Sequence, residues 1–110
     1  MWSLGITAIE LSEGNPPYYE IPSMKVLLNI LNLPPPSLSK YGKFSEEFFY
    51  FVHDCLEKNP LQRISSAEAL VKHSKFFAKA KGQEYVLKVL MKDLKPLTER
   101  IPDVLRKKGD

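Results

Sequence analysis

A mainly α-helical fold is what this sequence predicts, on three observations. Apolar residues recur at helical spacing in five stretches, and proline and glycine punctuate the gaps between them. No segment shows the strict apolar–polar alternation of a half-buried strand.

The first helix is read over Trp2–Glu13. Trp2, Ile6, Ile9 and Leu11 recur near helical spacing, and Leu4 and Ala8 are apolar too. A helix apolar on most sides belongs in the middle of a larger domain, and taken alone the chain is expected to be poorly stable. Gly14 follows, a residue suited to the left-handed turn that ends helices. Asn15-Pro16-Pro17 then forbids continuation. A second helix spans Ser23–Leu31, entered through Pro22 and stopped before Pro34-Pro35-Pro36, an extended spacer. Ser45 caps the third, with Glu46 and Glu47 in the first turn, where the helix dipole favours acids. Phe48, Phe51, Val52, Cys55 and Leu56 form its apolar face, and Asn59-Pro60 stops it. Ser65-Ser66-Ala67-Glu68 reads as a capping box, with Ser65 accepting from the third helical amide and Glu68 reaching back; it opens a fourth helix through about Lys72. Beyond Phe76-Phe77 and a polar joint at Lys79–Gln83, the spacing predicts an amphipathic helix over Glu84–Leu94. Leu87, Leu90 and Leu94 lie on one face and Lys88, Lys92 and Lys95 elsewhere. Pro96 and Pro102 limit helix further on.

At 110 residues the chain is at most one small domain. Its 44% apolar and 26% charged residues argue against wholesale disorder. The net charge of +3 is uneven. Residues 1–70 carry five basic and eight acidic side chains, and residues 71–110 carry eleven and five. The composition therefore changes near residues 71–75, a candidate boundary between a compact part and a basic extension. The single cysteine, Cys55, excludes an internal disulfide and a cysteine-based zinc site; among Phe51, Val52 and Leu56 it reads as a buried thiol. His53 and His73 have no partner at metal-ligand spacing. No apolar run approaches the roughly 18–20 residues of a membrane span. The basic tail has only Tyr85 among its charges, so nucleic-acid binding is not expected.

Two blocks carry a family resemblance. Trp2-Ser3-Leu4-Gly5-Ile6-Thr7-Ala8-Ile9-Glu10-Leu11, with Glu13-Gly14-Asn15-Pro16-Pro17-Tyr18, resembles the central helix of the protein-kinase large lobe and the loop after it. Cys55-Leu56-Glu57-Lys58-Asn59-Pro60-Leu61-Gln62-Arg63, followed by Ser65–Phe77, resembles the end of that lobe. The blocks occur in the family's order and spacing and cover residues 1–77, so the resemblance implies an incomplete large lobe over 1–77 and a basic helical extension over 78–110. Ile6–Glu10, Gly14–Tyr18 and Asn32–Pro36 look like the germinal-centre and Hippo-type branch of the sterile-twenty serine/threonine kinases. Ser74 departs from the pattern, standing where the family usually has proline.

The resemblance implies the helical C-terminal part of a kinase large lobe followed by an amphipathic helix. It also implies roles for several residues. Gly5 lets a neighbouring segment approach the first helix closely. Thr7 and Leu11 match positions beneath the residues that stack below the adenine of ATP. Glu10 matches a position that in some kinases contacts a basic substrate residue, its bland alternative being a helix-surface carboxylate. Arg63 matches an arginine that clamps a glutamate closing the activation segment. The glycine-rich loop and lysine, the catalytic aspartate, and the magnesium-binding aspartate and asparagine of kinase chemistry do not occur in the sequence, and the resemblance puts them upstream of Met1.

The chain is therefore expected to be catalytically inactive alone and to hold no cofactor or metal, while the complete parent kinase would use Mg-ATP on protein substrates in the cytoplasm. The competing expectation is a non-enzymatic helical module that binds a partner protein. In either case Leu87, Leu90 and Leu94 are candidates to pack on the lobe or to dock a partner helix.

Overall fold

A computed structural model describes residues 1–39 and 44–100. Among them the chain is helical and contains no strand. Met1–Lys79 and Ala80–Asp110 form two compact units.

In the first unit, α1 spans Trp2–Glu13. Gly14 ends it at φ 88°, its N–H donating to the Glu10 carbonyl at 2.8 Å, as the sequence predicts for a left-handed cap. Tyr18 also stands at positive φ, 63°, in the proline-rich loop that follows. Helix α2, Ser23–Asn32, runs one residue further than its spacing suggests. Helix α3, Glu46–Cys55, is capped by Ser45, whose Oγ accepts from the Phe48 N–H. Helix α4 spans Ala67–His73 and leads into a 3-10 turn over Lys75–Lys79.

The core lies where α1 crosses α3. Ala8, Ile9, Leu38, Phe51, Val52, Cys55, Leu56 and Leu70 are buried there, with Met1, Trp2, Ile6, Phe48, Ile64 and Phe77 packed around them. Four of the five residues assigned to the apolar face of α3 are therefore core, and Phe48 flanks it. Gly5 sits at the crossing. A β-carbon there would come within 2.8 Å of Cys55 Cβ and of two Leu56 side-chain carbons. Leu38 anchors the segment after α2 in this core, and the Ser39 N–H donates to Glu13 Oε1 at 2.8 Å. Helix α2 contributes no buried residue, and Met24, Leu27, Leu28 and Leu31 are exposed.

The cap of α4 differs from the expected capping box. Ser66, not Ser65, is the capping residue, and its Oγ accepts from the Ala69 N–H at 3.1 Å. The reason is local: Ser66 keeps an extended backbone, φ −151° and ψ 159°, so the helix begins at Ala67. The third helical position is then Ala69, and Glu68 falls one residue too early to close the box. Ser66→Ala is expected to cost about 1 kcal/mol and Ser65→Ala less than about 0.5 kcal/mol in urea denaturation.

In the second unit, α5 (Gln83–Tyr85) continues as one π-helical stretch, Val86–Leu90, closed by the Met91 N–H donating to the Val86 carbonyl. Helical geometry stops at Leu90. Leu94 lies in a turn, its N–H donating to the Met91 carbonyl, so the Leu87–Leu90–Leu94 stripe is not carried by one continuous helix. Asp93 competes with the helical backbone, and Pro96 drives Lys95 out of the helical region. Pro96 does not exclude helix after it: a single turn, α6, follows at Leu97–Arg100. Lys88 and Glu84 form an exposed ion pair one turn apart, and the Lys81 ammonium stands 5.8 Å from the Tyr85 ring centroid. The Pro102 stop and the end of the 78–110 extension lie outside the described residues. No described helix is long and apolar enough to cross a membrane.

Candidate functional site

Two concave surfaces on the first unit gather most of the residues singled out from the sequence. The first is an open apolar groove of about 590 Å³. One wall is the solvent side of α1, with Leu4, Thr7 and Leu11, and the other is aromatic, with Phe48, Phe51, Phe76 and Phe77. Thr7 satisfies its own hydroxyl by donating to the Ser3 carbonyl one turn back at 2.8 Å. Leu11 is 83% exposed, far more than a leucine in a self-sufficient core. The aromatic wall is well ordered by ring packing. Phe51 and Phe76 stack at 5.1 Å, Phe77 meets Phe51 edge-on at 5.3 Å, and Phe48 lies 5.1 Å from Phe76. Thr7 and Leu11 are thus brought together on this groove. Glu10 lines neither surface and lies exposed on α1.

The second surface is a polar cavity of about 460 Å³, lined in part by Asp54, Glu57, Gln62, Arg63, Ser65 and His73. Arg63 is its fixed point. Nε donates to the Glu57 carbonyl at 2.7 Å and Nη2 to the Lys58 carbonyl at 3.1 Å. The guanidinium carbon stands 5.3 Å from the Trp2 ring centroid, a cation–π distance. Two of five N–H donors are used in this way, which leaves the outer edge of the fork aimed by the protein and not by chance. An aromatic plane and two carbonyls orient the group without neutralising it. A carboxylate is the ligand that such a fork matches in charge and geometry.

His53 and Asp54 approach to 3.5 Å, but both are exposed and the pair contributes little. Among the described residues no three metal-ligating side chains come together.

Cys55 is fully buried beneath these surfaces. Burial raises its pKa above the ordinary 9.0, and the Asp54 carboxylate adds to the rise against the opposing pull of the Met1 ammonium. The thiol form is thus favoured by folding. This contribution is complete below pH 9 and is lost as pH rises through the higher folded value. Iodoacetamide at pH 8 is expected to label Cys55 only in denaturant; equal labelling of the folded chain would contradict its burial.

Two features carried no local mark in the sequence. One is the Arg63–Trp2 contact, which spans most of the unit. The other is Lys58, whose ammonium donates to the Leu31 carbonyl at 2.9 Å and the Leu33 carbonyl at 2.7 Å. It closes the C-terminal end of α2 from a loop more than twenty residues away.

No protein-family model matches the chain. Curated proteins do. It is 43% identical over 102 residues to the serine/threonine-protein kinase fray2 of Dictyostelium discoideum, a match covering 91% of this chain and 10% of that protein. It is 40% identical over 101 residues to germinal center kinase 3 of Caenorhabditis elegans, covering 86% and 17%. It is 56% identical over 79 residues to the serine/threonine-protein kinase ppk11 of Schizosaccharomyces pombe, covering 72% and 24%. The chain therefore spans between a tenth and a quarter of the length of these relatives.

Proposed function

We propose, for a chain that belongs with the sterile-twenty-type serine/threonine kinases as a stretch of their C-terminal large lobe, that it serves as the structural base of the kinase and not as its chemical centre. The complete parent transfers the ATP γ-phosphate to protein serine or threonine with magnesium, in the cytoplasm. This stretch, which carries no phosphate- or metal-binding motif in its sequence, takes no direct part in phosphoryl transfer.

The observation that carries the reading is the state of Arg63. Its guanidinium is pre-oriented by the Glu57 and Lys58 carbonyls and by Trp2, with donors left over among the described residues. In the parent it holds the glutamate that closes the activation segment, and so fixes the surface on which protein substrate lies. Thr7 and Leu11 support the adenine-stacking residues from below through the groove that α1 leaves open, and Glu10 faces basic substrate.

Titration calorimetry of the 110-residue chain with Mg-ATP tests the inactive half of this reading. No saturable heat is expected, and a single micromolar site would overturn it. In the complete kinase, Arg63→Ala is expected to lower phosphotransfer by about tenfold or more, an effect worth at least about 1.4 kcal/mol. Unchanged turnover would remove the clamp.

The alternative, a non-enzymatic module that binds a partner, is favoured by one observation. Val86, Leu87, Val89, Leu90, Met91, Leu94 and Leu97 are all at least 38% exposed. On that reading the segment buries this surface on a partner, although Leu94 does not extend the helix that bears Leu87 and Leu90.

A further inference from the structure

Helix α2 carries two apolar sides, and only one of them has a support. Val26 and Ile30, one turn apart, are half-buried and border a concave surface with Trp2, Ile6 and Tyr18. Met24, Leu27, Leu28 and Leu31 follow the i, i+3, i+4, i+7 spacing of a single stripe on the other side. All four are 57–76% exposed, and the helix has no fully buried residue.

The stripe stands on a pinned helix. Lys58 Nζ donates to the Leu31 and Leu33 carbonyls and holds the C-terminal end of α2 against the loop after α3. The stripe is also uncharged. Lys25 is the sole charged residue of α2, and helical spacing puts it beside the stripe and not in it. A partner selected by charge finds nothing there to match. The stripe has a further property: it reads the same from either end. Its midpoint falls between Leu27 and Leu28, and reversal exchanges Met24 with Leu31 and Leu27 with Leu28.

We propose that this stripe is the contact between two copies of the chain, with α2 antiparallel to α2 of the second copy about a two-fold axis at the Leu27–Leu28 midpoint. A two-fold contact must be self-complementary, and reversal symmetry of the stripe supplies that. Met24 meets Leu31 of the second copy, Leu27 meets Leu28 of the second copy, and each pairing occurs twice. The antiparallel arrangement offsets the two Lys25 residues by about five residues, roughly 7–8 Å along the axis, where a parallel one would set them level. It also places the N-terminal end of each helix dipole beside the C-terminal end of the other. Four side chains this exposed offer about 500 Å², so two copies bury about 1,000 Å², which just reaches the area of a specific interface. The dimer is accordingly a reversible one. This inference does not rest on the kinase reading.

Sedimentation equilibrium of the full chain tests it. A monomer–dimer equilibrium is expected, with Kd of about 1–100 μM. Leu27→Asp is expected to weaken the dimer at least about tenfold while keeping the wild-type circular dichroism, since Leu27 contributes nothing to the core. Leu11→Asp, on the apolar groove beside α1, is expected to leave the dimer intact. The register is read by disulfide trapping. When Met24→Cys and Leu31→Cys chains are mixed and oxidised, the mixed disulfide is expected in preference to either like pair, with Cys55 buried and unreacted. If Leu27→Asp loses the fold, the trapping result decides alone. A wild-type chain that stays monomeric, a folded Leu27→Asp variant that dimerises as well as wild type, a dimer lost with Leu11→Asp, or trapping of like pairs in preference to the mixed one overturns the proposal.

Discussion

Gly5→Val is expected to destabilise residues 1–79 by more than about 3 kcal/mol. A β-carbon at Gly5 comes within 2.8 Å of Cys55 Cβ, Leu56 Cγ and Leu56 Cδ2. These atoms belong to residues that are 0% and 1% exposed, so they have nowhere to retreat. Alanine at this position gains about 1 kcal/mol of helix propensity but meets an overpacking cost of about 1–3 kcal/mol, and the clash wins by a modest margin. Valine adds two more carbons and little propensity, so its cost exceeds about 3 kcal/mol. A unit of this size holds only about 5–10 kcal/mol in total. The other described glycines calibrate the result. Gly14→Ala meets no atom within 4 Å, yet its φ of +88° costs about 1 kcal/mol. Gly82→Ala meets neither obstacle and is expected to change stability by less than about 0.5 kcal/mol. Denaturation midpoints at constant slope read all three; a stable Gly5→Val protein would mean that the α1–α3 crossing is wrong.

Phe51→Ala is the second large effect, at about 3–5 kcal/mol. Phe51 is 4% exposed and is the ring that Phe48, Phe76 and Phe77 all meet. Its removal leaves a cavity that the helices cannot close, because Val52 and Cys55 on the same helix are already packed. It also detaches the 3-10 turn that carries Phe76 and Phe77 from α3. Phe76→Ala starts from a ring that is 36% exposed and should cost clearly less, about 1–2 kcal/mol. Phe51→Leu, which keeps most of the volume, is expected to cost under about 1.5 kcal/mol. Chemical denaturation that ranks Phe76→Ala above Phe51→Ala would refute this order.

Local chemistry in the sequence was enough to place the four α-helices of the first unit, though not the 3-10 turn over Lys75–Lys79. Periodicity placed α1 and α3, Ser45 started α3, Gly14 ended α1 and the proline run ended α2, since each of these acts within one or two turns of chain, whereas α3 stops at Cys55, short of the Asn59-Pro60 expected to end it. The same locality explains the errors. Ser65 and Ser66 differ by one register, and only the extended backbone at Ser66 selects between them. The spacing of Leu87, Leu90 and Leu94 is helical on paper, but the helix ends at Leu90, and Asp93 and Pro96 disfavour its resumption over the next turn.

What tertiary structure alone decided is which faces meet. Spacing could not divide α1 into a buried side at Gly5, Ala8 and Ile9 and an open side at Leu4 and Leu11, because both sides are apolar. Nor could it join Arg63 to Trp2, or Lys58 to the end of α2, since those contacts link residues 25 or more positions apart. Such pairings depend on how α1, α3 and the loop after α3 pack around Leu56. Packing is a property of surfaces in three dimensions, which periodicity along one helix does not encode.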